Sequence, residues 1–249
     1  MKARRKKKSA VARVKPFWIL IVVLLVSATV AGYYGAGWSG FRVREISVSG
    51  NVIVPKADVL ARAAIDPSKN IWLQNTSASA ARIRAIPYVE DARIHRTLPA
   101  KVNIAITERK PYALVRGGQR TILIDEHLRV LQLGANGSGL PVFNVRPPAL
   151  AAGQFVRDAK VSTMARDFEV LQSAHVVPKS LSIDRLGDLS AVIAQGIVVQ
   201  LGDDSNLAQK AALVDPILSQ TQAQGRRIRA VDLRAPKTPV VVFRDSVSP

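Results

Sequence analysis

The chain has 249 residues, 36 Lys and Arg against 18 Asp and Glu, a formal net charge of +18, and no cysteine. At roughly 150 residues per domain it holds one or two domains, and its apolar and charged fractions (48% and 22%) exclude a wholly disordered chain. The missing cysteine excludes a disulfide scaffold, a thiolate zinc site and a cysteine nucleophile.

The charge is unevenly spread. Lys2, Arg4, Arg5, Lys6, Lys7, Lys8, Arg13 and Lys15 place eight cations in the first 15 residues, with no acid among them. Residues 16–41 then carry no charge. Residues 17–34 make a helix of about 27 Å, close to the roughly 30 Å of a bilayer core. Phe17 and Trp18 lie at one end, and Tyr33, Tyr34 and Trp38 at the other, as interfacial aromatics of a membrane span do. A cleaved signal peptide ending at Ala28 is the rival reading, since "VSA" suits a signal peptidase. The run continues past that site, which favours an uncleaved anchor over residues 17–38. The positive-inside rule then puts the tail, residues 1–16, in the cytoplasm and everything from about Gly40 outside. The tail can also bind anionic membrane lipid.

Val43, Ile46 and Val48 predict a strand, ended by Ser49, Gly50 and Asn51. Pro55 opens a helix with Val59, Leu60 and Ala63 on one face. Ile71, Trp72 and Leu73 form a short apolar patch, and Trp72 is expected in the core. A second helix is expected over residues 77–86, ended by Pro87. Two strands follow, around a turn at Leu98, Pro99 and Ala100. Ala92, Ile94 and Arg96 alternate along the first, and Val102, Ile104 and Ile106 share one face of the second.

From Tyr112 the pattern changes to short apolar stretches: "YALVR", "RTILID", "LRVLQL" and "GLPVFNV". They predict successive antiparallel strands. Val161, Met164, Phe168 and Leu171 then recur at three- and four-residue steps, an amphipathic helix. Three more strands end at Gly202, with a turn at Gln195-Gly196. A second helix is expected from about Ser205 or Asn206 to Gly225, kinked or broken at Pro216. "RIRAVDLR" and "PVVVFR" are the last strands. The whole reads as an α+β protein.

The order strand, helix, helix, strand, strand and the stretch "IPYVEDARIHRTLPAKVNIAITERKPYAL" resemble a POTRA domain. More closely, they resemble the one that follows the membrane helix in the bacterial cell-division family FtsQ/DivIB. Pro87 with Val89, the turn at residues 96–99 and the Glu-Arg-Lys-Pro exit at residues 108–111 carry that resemblance. "VVQLGDD", the helix with Lys210 and "VDLR" at residues 231–234 resemble the family's C-terminal half. The resemblance implies a POTRA domain over residues 41–111, a β domain over 112–245 and a short tail, 246–249. The turn at Asp125, Glu126 and His127 departs from relatives, in which a glycine is common there; here Leu128 follows.

Little in the chain points to catalysis. His95, His127 and His175 are far apart and in no metal-binding pattern, and no nucleophile elbow or phosphate-binding loop occurs. Asp125, Glu126 and His127 read as a solvated turn. No cofactor and no small-molecule substrate are expected. Residues 42–116 hold 13 basic and 6 acidic side chains, but few aromatics alternate with them, so nucleic acid is not an expected partner. A membrane-anchored cell-envelope hydrolase and a membrane-tethered nucleic-acid binder stand as alternatives to a non-catalytic scaffold.

A scaffold needs a surface. Pro239, Val240, Val241, Val242 and Phe243 form the last strand, whose apolar, β-branched core suits an open sheet edge to which a partner adds a strand. The resemblance implies the partner: an FtsB/DivIC-like protein together with an FtsL-like protein, bound along the terminal strands at the division septum. It also implies that Arg234, the arginine of "VDLR", makes a charged contact with that partner. The next residue here is Ala235, at a position where an aromatic can occur in the family.

Overall fold

The computed structural model describes residues 16–137 and 139–244; the tail cations Lys2 to Lys15 and residues 246–249 lie outside the described residues. Helix α1 (Pro16–Gly37) is apolar around its circumference. Phe17–Gly35 has a mean hydropathy of 2.1, is long and apolar enough to cross a membrane, and none of it is buried within the described residues. Phe17, Trp18, Tyr33, Tyr34 and Trp38 are all exposed at its ends.

A three-stranded unit follows: β1 (Glu45–Ser49), α2 (Lys56–Ala63), α3 (Thr76–Arg84), β2 (Val89–Thr97) and β3 (Lys101–Glu108). The strand order is β1-β3-β2, with β1 parallel and β2 antiparallel to the central β3. The period-2 pattern of β3 buries Val102, Ile104 and Ile106 beneath Val59 and Ile83 of the two helices. The Asn75 side chain accepts the Ala78 amide, so α3 starts at Thr76 rather than at residue 77, and it ends at Arg84. Trp72 corrects the expectation of a core tryptophan. Residues 71–73 form a 3-10 turn in which Ile71 is fully buried and Trp72 is 54% exposed.

The rest of the chain builds a nine-stranded sheet. Its strands are β4 (Ala113–Gly117), β5 (Arg120–Ile124), β6 (Val130–Leu133), β7 (Val142–Asn144), β8 (Ser180–Ile183), β9 (Leu189–Val192), β10 (Val198–Gly202), β11 (Ile228–Asp232) and β12 (Val240–Phe243). The spatial order is β12-β11-β10-β9-β8-β7-β4-β5-β6. Most neighbours are antiparallel, but β7 is parallel to both β4 and β8, and β10 is parallel to β11. The expected run of successive antiparallel strands therefore stops at β6.

Helix α4 (Ala159–Ser173) covers one face and buries Val161, Met164, Phe168 and Leu171. Each such side chain is worth about 1.5–3 kcal/mol when removed from water. Phe168, Phe143 and Tyr112 meet edge to face at 5.7–6.3 Å. Burial, with Glu169 and Glu126 nearby, pushes the Tyr112 phenol up to about 12. The last helical stretch is two helices, α5 (Leu207–Ala212) and α6 (Val214–Ala223), divided at Leu213. Pro216 thus lies in the first turn of α6, where its missing N–H costs no helix bond.

Candidate partner-binding edge

Strand β12 stands at one edge of the nine-stranded sheet, paired antiparallel to β11 with Asp232 opposite Val240 and Val231 opposite Val241. Alternation divides its side chains. Val241 and Phe243 pack against the core, whereas Val240 and Val242 are 57% and 44% exposed. Pro239 is exposed just before the strand. The far end of β12 is pinned from three directions. The Arg226 guanidinium lies 3.3 Å from the centroid of the Phe243 ring, the Arg244 guanidinium donates to the Gln195 carbonyl at 2.8 Å, and the Arg244 amide donates to the Arg227 carbonyl at 2.8 Å. The edge is thus held in strand conformation before anything binds it, which removes part of the ordering cost of association.

Arg234 sits just after β11 and is engaged within the chain. Its guanidinium clasps the Asp232 carboxylate at 2.6–3.1 Å, and its backbone N–H donates to the same group. Hydrogen bonds from Arg234 hold the Asp232 carboxyl below its ordinary value, and Asp232 raises the Arg234 guanidinium. The aliphatic stem of Arg234 lies over Gly202, where an added Cβ would come within 3.0 Å of Cγ. A salt bridge and a close backbone approach therefore fix this side chain at the exposed end of β11.

Lys210 anchors the neighbouring loop. It is buried, and its ammonium donates to the Asp203 carbonyl at 3.0 Å and to the Asp203 carboxylate at 2.9 Å. This ties α5 to the end of β10, two strands in from the edge.

A second constellation lies where the two units meet, and the sequence reading missed it. Glu108 accepts the amides of Val52, Ile53 and Val54 at 2.7–3.0 Å. Burial alone would raise its carboxyl, but the three amides outweigh that and hold it below 4.5. The next residue, Arg109, donates to Asp125 at 2.6 Å, and the two side chains are 11% and 2% exposed. Asp125 also accepts the Arg129 amide at 2.7 Å, while the Arg129 guanidinium reaches back to the Arg84 carbonyl at 3.1 Å. Tyr88 donates across the same joint to Gln132 at 3.0 Å. The expected solvated turn is therefore corrected: Glu126 and His127 face water, but Asp125 is buried in an ion pair. Leu128 adopts a left-handed conformation, φ +61°, in this turn, the conformation a glycine adopts without strain.

The other histidines, His95 and His175, are exposed and separate, and among the described residues no group of three or more His, Asp or Glu could hold a metal ion. Residues 41–109 match the family model "POTRA domain, FtsQ-type", and residues 113–234 match "Cell division protein FtsQ/DivIB, C-terminal". Similar proteins include a cell division protein DivIB of Clostridium botulinum, 21% identical over 95% of this chain and 93% of the relative. A cell division protein FtsQ of Streptomyces venezuelae is 27% identical over 88% and 80%, and one of Anaeromyxobacter 25% over 92% and 80%.

Proposed function

The chain belongs to the FtsQ/DivIB family of bacterial cell-division proteins, which are not enzymes, and on that premise we propose that it is a membrane-anchored scaffold binding its partner by strand addition at β12. The partner is an FtsB/DivIC-like protein in complex with an FtsL-like protein. α1 spans the plasma membrane once, with the N-terminus cytoplasmic, and both folded units act outside the membrane at the septum. There the chain links early and late division proteins.

The observation that carries this reading is a pre-ordered, apolar edge strand with Val240 and Val242 facing water. Each main-chain hydrogen bond to an added strand contributes about 0.5–1.5 kcal/mol net, and side chains laid over the two valines bury further apolar surface. Arg234, positioned by Asp232, offers a cation at the rim, where charge governs association rate and partner choice.

Reconstitution of the full chain with the two partner proteins tests the proposal. Val241→Pro in β12 abolishes complex formation while the α/β unit keeps its unfolding transition. Val240→Asp with Val242→Asp weakens binding without loss of fold, and Arg234→Glu does so more strongly at low salt. Undiminished binding by the β12 variants refutes strand addition.

A further inference from the structure

Trp72, exposed and without a role in the edge described above, belongs to a second surface. The Asn70 side-chain amide donates to the Gly35 carbonyl at the end of α1, at 3.3 Å, and the Asn70 backbone bridges to Arg42. Residue 70 is therefore at the level where α1 leaves the bilayer. Two residues of chain span at most about 7 Å, and the polar interface beyond the hydrocarbon core is roughly 5–8 Å deep on each side. Trp72 consequently lies within that layer. The turn between β2 and β3 is at the same end, because the Arg44 and Glu45 amides both donate to the Ala100 carbonyl.

This end carries Trp38, Trp72, Leu73 and Leu98, each more than half exposed. Arg42, Arg44 and Arg96 stand among them, with Arg96 6.0 Å from the Trp72 ring centroid. The acids nearby are neutralised: Glu45 by Lys101 at 2.7 Å and Asp66 by Lys69 at 3.6 Å. Apolar tips ringed by arginine and tryptophan are the chemistry of a bilayer interface, where aromatic rings sit at headgroup depth and cations meet phosphates. Val52 and Ile53, at the opposite end beside Glu108, are not part of this surface.

We propose that the α1-proximal end of the three-stranded unit is seated in the outer lipid headgroup layer, with Trp72, Leu73 and Leu98 at the acyl boundary. The inference rests on the reading of α1 as a membrane span. The partner is phospholipid, held by apolar insertion and by arginine–phosphate contacts.

The test reconstitutes the full chain in vesicles of phosphatidylcholine and phosphatidylglycerol. One chain keeps Trp72 alone, through Trp18→Phe and Trp38→Phe; a companion keeps Trp18 alone. Trp72 is expected to emit at shorter wavelength than in a water-exposed site and to be quenched both by a headgroup nitroxide and by bromine high on the acyl chain. Adding Leu73→Asp and Leu98→Asp removes the bromine quenching. If Trp18 is quenched while Trp72 keeps a water-exposed spectrum, or is quenched by the headgroup label alone, the seating is overturned and the span survives. If neither tryptophan is quenched, the span itself fails and the proposal with it.

Discussion

Replacing Arg109 by methionine removes one half of the ion pair that joins the two folded units. The Asp125 carboxylate, 2% exposed, is then left with the hydrogen bond from the Arg129 amide at 2.7 Å. Leaving a buried charge uncompensated costs about 3–5 kcal/mol, far more than the net worth of the intact pair. For a folded region of this size, roughly 2–4 °C of melting temperature accompany each kcal/mol, so Arg109→Met should lower the transition by about 6–20 °C. The double variant Arg109→Met with Asp125→Asn leaves no buried charge, and its amide oxygen still accepts from Arg129; it should recover most of the loss. Thermal unfolding of the full chain in detergent, followed by near-ultraviolet circular dichroism, reads both variants. A single variant within about 1 kcal/mol of the parent, or a double variant worse than the single, refutes the claim that burial of this charge dominates the joint.

Glu108 supplies a pH dependence. Its folded-state carboxyl titrates below 4.5, so its stabilisation is present above that value and is lost as pH falls through the lower folded value. Denaturant unfolding should show this margin shrinking below pH 4.5 in the parent, and a smaller acid loss in Glu108→Gln, which starts weaker by about 1–3 kcal/mol. Gly50→Ala should destabilise the three-stranded unit by at least about 2 kcal/mol in chemical denaturation, since the site needs a left-handed backbone and strain adds to a steric clash. The clash is direct: with φ at +81°, an added Cβ falls 2.0 Å from the Ile106 carbonyl oxygen. Ala64→Gly should act oppositely, raising stability by about 0.5–1 kcal/mol, because Ala64 ends α2 at φ +46° and is exposed.

Elements with one dominant period were readable from the chain. The three- and four-residue steps of α4 and the alternation of β3 each place apolar residues on one face, and the structure buries those residues. Trp72 was misread because residues 71–73 form a 3-10 turn. At three residues per turn, consecutive side chains point in three directions, and here the core takes Ile71 alone. Asp125 looked like turn chemistry because its partner is 16 residues earlier, and no local pattern encodes that distance. The parallel placement of β7 is equally non-local, since β5 and β6 intervene before it returns to β4. Pro216 was expected to kink or break a helix, and the helix does divide, at Leu213, which leaves Pro216 near the start of the second piece. At the edge, alternation along β12 could be read, but the Asp232 clasp on Arg234 is a side-chain geometry that spacing does not specify.

The order of the large sheet has a mechanical consequence. The chain enters it at β4, a few residues after the Arg109 joint, and β12 lies six strands away. At about 4.8 Å per strand the sheet is a cantilever of roughly 29 Å, clamped at one end against the three-stranded unit. Strand-to-strand rotation of about 20–25° accumulates to roughly 120–150° along it, so the free end faces a direction set by sheet twist rather than by the clamp. Pulling on β12 would therefore load the clamp in torsion as well as bending. In this beam the buried Arg109–Asp125 pair is the bearing, and a force applied at β12 would be felt there first.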